Sequence, residues 1–105
     1  MARVIVSKEA RKDLINIRDY IRDELCNPAA AKRIIQALRT AIEGLRVFPN
    51  RGKPLDMLLP VHTEYRYLPC ENDCIFYLAD EEDVFVIRIL HQKQNTIRAL
   101  FIEQD

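Results

Sequence analysis

A chain of 105 residues, 49% apolar and 30% charged, has the length to bury one core and the composition of an ordinary globular domain. Its 16 Lys/Arg balance 16 Asp/Glu, and no apolar run approaches the roughly 20 residues that span a bilayer. The N-terminus offers a lone Arg3 and a four-residue apolar patch, too little for a signal peptide, so a single cytoplasmic domain over residues 1–105 is expected.

The balanced charge is unevenly spread. Residues 1–54 hold twelve Lys/Arg against six Asp/Glu, while residues 55–105 hold four against ten. Cys26, Cys70 and Cys74 are an odd number without a secretory signal, which argues against a disulfide framework. Cys70 and Cys74 can be drawn with His62 and His91 as a zinc site. Cys-x-x-x-Cys is a weak spacing, however, and Cys74 falls inside a strand-like run, so free thiols and no metal or cofactor are the expectation.

In chain order, Arg3-Val-Ile-Val6 is a short β-branched run and the first predicted strand. Ser7 then occupies a helix N-cap position, with Glu9 in the first turn where a carboxylate suits the dipole. Ala10, Leu14, Ile17, Ile21 and Leu25 recur at three- and four-residue steps as one apolar stripe. Arg11, Arg18 and Arg22 lie on the other side among Asp19 and Asp23. Asn27-Pro28 breaks the helix and caps the next one, whose stripe is Ala30, Ile34, Leu38, Ala41, Ile42 and Leu45. So short a link implies an antiparallel helical hairpin. Pro49, Gly52 and Pro54 end the second helix, and a loop leads to Pro60.

Three apolar runs follow, separated by short polar breaks: Tyr65-Arg-Tyr-Leu68, Cys74 to Ala79, and Val84 to His91. They read as an antiparallel meander, with Asp80-Glu-Glu-Asp83 as its last turn. Alternation in the last strand assigns Val84, Val86, Arg88 and Leu90 to one face. Phe85, Ile87, Ile89 and His91 take the bulkier face, expected against the helices. After Asn95, a plausible cap, Ile97, Leu100 and Phe101 are spaced like a helical turn.

Strand, helix, helix and three antiparallel strands, with Phe48-Pro-x-x-Gly52, Tyr65-Arg-Tyr-Leu68, Ile75-Phe-Tyr77 and Val86-Ile-Arg-Ile-Leu-His91, resembles the RelE/ParE superfamily of bacterial toxins over nearly the whole chain. The resemblance implies an α+β fold of order β-α-α-β-β-β, a cognate antitoxin as partner, and growth arrest by the free toxin. It also leaves homodimerisation open. RelE-like members cut mRNA on the ribosome, whereas ParE-like members poison DNA gyrase without hydrolysis. RNA cleavage needs a base, an acid and cations for the developing phosphorane charge. Arg66 matches one basic position of the RelE-like set. Cys74 and Gln92 stand where arginines are expected, and Arg98 falls near the position of a C-terminal tyrosine. The ParE-like branch therefore fits better, and its fourth strand commonly ends in a run like Arg88 to His91.

The candidate residues carry competing readings. Arg66, Arg88, Lys93 and Arg98 are candidates for contacting a protein target, and Arg66, Arg88 and His91 for catalysis under the nuclease alternative. A strand arginine also commonly forms an internal ion pair, for which Glu64 or Glu71 would serve Arg88. The flanking tyrosines of Arg66 can take the core face and leave it outward. His91 can hydrogen-bond the backbone at a strand end, and Lys93 and Arg98 can be solvated charges near a terminus. Tyr65, Tyr67 and Tyr77 read as core or cross-strand partners rather than base-stacking platforms.

Overall fold

A computed structural model describes residues 1–60 and 62–92. The chain runs β1 (Arg3–Val6), α1 (Lys8–Asp19), a π-helical turn (Tyr20–Glu24), α2 (Pro28–Gly44), β2 (Lys53–Pro54), a 3-10 turn (Leu55–Met57), β3 (Arg66–Cys70), β4 (Asp73–Ala79) and β5 (Asp83–His91). The α+β order holds, with one strand added: the stretch read as a loop contains β2, paired to the start of β3. The sheet is mixed, in the order β1-β5-β4-β3-β2, with β1 parallel to β5 and the remaining pairs antiparallel. Lys93, Arg98 and the Asn95–Phe101 segment lie outside the described residues.

Both helices start as their caps dictate. Ser7 Oγ accepts from the Ala10 N–H at 2.9 Å, and Asn27 Oδ1 from the Ala30 N–H at 3.1 Å, with Pro28 at the first helical position. Ala10, Leu38, Ile42 and Leu45 are buried against Ile75, Tyr77, Val84, Val86 and Ile89 of the sheet. The stripe on α1 ends earlier than its periodicity predicts. At Tyr20 the helix widens to i→i+5 hydrogen bonds, the register drifts, and Leu25 is left 56% exposed.

A bulge corrects the expected facing of β5. Phe76 pairs with Arg88 but Tyr77 pairs with Val86, so Ile87 is the extra residue and alternation restarts beyond it. Val84 and Val86 face the helices before the bulge and Ile89 after it, while Phe85 and Ile87 are only half-buried. Leu90 turns to the opposite face. There it joins Leu55, Cys74 and Phe76 in a second small core, flanked by Leu59, Tyr65 and Tyr67. The sheet is thus apolar on both faces. The hairpin covers one, and residues 55–59 cover part of the other. Among the described residues, no helix is long and apolar enough to cross a membrane.

Candidate functional site

Arg66 is the first residue of β3, and its register partner on β4 is Tyr77. The tyrosines on either side turn toward the second core, so Arg66 shares the helix-side face with Tyr77. Its guanidinium donates to the Gly52 carbonyl at 2.7 Å. Tyr77 is fully buried and its hydroxyl bridges the same loop, accepting from the Gly52 N–H and donating to the Pro49 carbonyl, both at 2.8 Å. Burial pushes the phenol pKa up, so Tyr77 is a neutral hydroxyl. The Phe48-Pro-x-x-Gly52 signature is therefore a loop latched to the sheet by Tyr77 and Arg66. Arg66 is half-buried there rather than pointing freely outward.

Arg88 is also engaged, though not with Glu64 or Glu71. Its Nε and Nη2 reach the two oxygens of Asp13 on α1 at 2.8 and 3.0 Å. The pair is largely desolvated, with side chains 19% and 10% exposed. Asp13 Oδ2 also accepts the Ile89 N–H at 2.9 Å, and Ser7 Oγ donates to the Ile87 carbonyl at 2.7 Å. β1 ends at Val6 while β5 runs on to His91, so these two side chains continue the ladder where the strand partner stops. Glu71 instead meets Arg33 at 3.2 Å, and Glu64 meets His62 at 3.1 Å. Asp13 escaped sequence reading because nothing in a polar helix position signals a partner 75 residues away.

His91 is exposed at the end of β5, level with Asp73 on β4 and Cys70 on β3. Arg66 lies level with Val86 through Tyr77, so its backbone is two strand spacings, about 10 Å, from β5. From the level of Arg66 to that of Cys70 and His91 is a further four residues, about 13 Å along the strands. Arg66 and His91 thus stand at separate places on the sheet, while Arg88 precedes His91 by three residues on the same strand. Burial raises the pKa of Asp73, with the His91 charge opposing. Burial likewise raises the Cys70 and Cys74 thiols, which keeps them protonated. Those two cysteines face opposite sides of the sheet, so they do not converge on one ion. No His/Cys/Asp/Glu group suited to a metal ion occurs among the described residues.

An open mixed sheet under a helical hairpin, with a proline–glycine loop latched to its central strand, defines a small α+β fold. Residues 4–96 match the family described as the ParE toxin of the type II toxin–antitoxin system, parDE, and the chain belongs to that family. It is 33% identical over 91 residues to Toxin RelE2 of Caulobacter vibrioides (strain ATCC 19089 / CIP 103742 / CB 15), covering 87% of this chain and 96% of that relative. A solved structure titled "Chromosomal ParDE TA system from P. aeruginosa" shares the fold. The TM-score is 0.71 at 20% identity, over 87% of this chain and 96% of the other.

Proposed function

We propose that this toxin arrests growth in the ParE-like way, by binding DNA gyrase without hydrolysing RNA, and that a cognate antitoxin neutralises it. The observation that carries this reading is the commitment of both strand arginines. Arg66 is spent on the Gly52 carbonyl and Arg88 on the Asp13 carboxylate, and Arg66 lies two strands and four residues away from His91. A nuclease needs its acid, base and cations within hydrogen-bond reach of one phosphate. The acidic balance of residues 55–105 further weakens attraction for an RNA backbone.

Purified toxin is expected to inhibit gyrase supercoiling or trap gyrase–DNA breaks, and to leave mRNA intact in a translating extract. Ribosome-dependent cuts in primer extension, with gyrase unaffected, would overturn the assignment. The exposed His91 and the likeness to a relative named RelE2 favour that second reading. In that case His91→Gln should slow cleavage by about 10²–10⁴-fold. For the antitoxin, co-expression with a small open reading frame found adjoining the gene should recover both chains in a pull-down. Recovery of this chain alone, with toxicity unchanged, would remove the partner from the proposal.

A further inference from the structure

The latched loop exposes what a folded chain normally hides. Val47 is 53% and Phe48 67% exposed. With Pro49, Asn50 and Arg51 they line an open hollow of about 650 Å³ at the C-terminal end of α2. This ledge is not a slack segment. The Phe48 N–H donates to Gly44 O at 3.1 Å and the Arg51 N–H to Phe48 O at 3.1 Å, while Tyr77 and Arg66 fix Pro49 and Gly52 from below. An aromatic ring held outward on a fixed backbone is preorganised for a partner, because little freedom remains to be lost on docking.

Charge selects the partner. Between Glu43 and Asp56 the chain carries Arg46, Arg51 and Lys53 and no acidic residue. The two flanking acids are engaged, Glu43 by Arg46 at 2.6 Å and Asp56 by His62 at 2.7 Å. Arg51, inside the hollow, makes no ion pair among the described residues. We propose that the Val47–Arg51 ledge docks an acidic segment of a protein partner, with an aliphatic or aromatic side chain beside Phe48 and a neighbouring carboxylate on Arg51. Nucleic acid fits less well, since the lining is chiefly apolar and supplies one unpaired cation. The proposal is independent of which molecule the toxin poisons.

A random-peptide library displayed on phage and selected on the full chain, followed by calorimetry with the enriched synthetic peptides, tests this. The enriched peptides should place Leu, Ile or Phe beside Asp or Glu. They should move the amide resonances of Val47, Phe48, Asn50 and Arg51 in the unmodified protein. Phe48→Ser and Arg51→Glu should each weaken binding by about tenfold or more, whereas Arg11→Glu on α1 should not. Both variants alter exposed side chains, and circular dichroism checks that they fold. Enriched peptides without acidic residues, or resonance shifts confined to other surfaces, would overturn the proposal. So would displacement of the peptides from these amides by a DNA duplex.

Discussion

At Gly52 an added Cβ would stand 2.6 Å from the Tyr77 hydroxyl and 2.8 Å from the Tyr67 carbonyl, one of them rigid backbone and the other a buried ring. Gly52→Ala is therefore expected to destabilise the fold by about 1–3 kcal/mol, read as a lower urea midpoint at unchanged slope. An unaltered midpoint would mean the loop can slide off Tyr77. His62 shows a different residue-scale effect, since its ring lies 2.7 Å from Asp56 and 3.1 Å from Glu64. Hydrogen bonds to those two carboxylates raise its pKa above 6.5. The Thr63 N–H, followed by His62, lowers that of Asp56. A raised histidine favours the fold fully below its unfolded pKa of about 6.5, and that favour is lost as pH rises through the folded value. Asp56 acts in the opposite sense, its favour lost only as pH falls through its depressed value. NMR titration should place His62 above 6.5, and His62→Gln should flatten the stability profile just above that pH. A His62 that titrates at or below 6.5 would show the contacts to be broken in solution.

Between the elements, the sharp reversal from α1 to α2 rests on Cys26, whose φ of 51° is a left-handed conformation that side chains resist. Leu25 and Cys26 follow the π-helical turn, and the Asn27 N–H closes back on Ile21 O at 3.1 Å. Glycine adopts this conformation without a Cβ penalty, so Cys26→Gly should raise stability by about 0.5–1 kcal/mol. Chemical denaturation would check it, and a loss of stability would point to the Cys26 thiol as the better holder of the turn. Within β5, the bulge at Ile87 lets one strand serve two cores. Val84, Val86 and Ile89 face the hairpin, and Leu90 faces Leu55 and Phe76.

Across the whole molecule, β5 is the last strand of the meander yet sits between β1 and β4. It contributes Val84, Val86 and Ile89, all 0–1% exposed, to the main core. Each such side chain is worth roughly 1.5–3 kcal/mol of burial, so the three together rival the roughly 5–15 kcal/mol that holds a domain folded. A chain ending at Ala79 should accordingly show no cooperative thermal transition by far-ultraviolet circular dichroism. A sharp melt from that truncation would mean the hairpin and β3–β4 fold without β5.

What the sequence determined by itself is local. Ser7 and Asn27 as caps, Pro28 at a helix start, the apolar stripes through Leu38 and Ile42, and the Asp80–Asp83 turn all follow from interactions within a few residues. Those signals, with the Phe48-Pro-x-x-Gly52 and strand motifs, were enough to carry the family resemblance. Tertiary structure alone decided the rest. The parallel pairing of Arg3–Val6 with Asp83–Val86, the match of Asp13 to Arg88, and the closure of Tyr77 on Gly52 join residues tens of positions apart. No local pattern encodes which of several acids or carbonyls a strand arginine will meet. Likewise, a one-residue bulge inverts every facing beyond it, because side chains on a strand alternate with a period of two. The fates of Arg66 and Arg88 were settled by that long-range geometry, where the chain brings a Gly52 carbonyl and an Asp13 carboxylate within reach of two half-buried guanidinium groups.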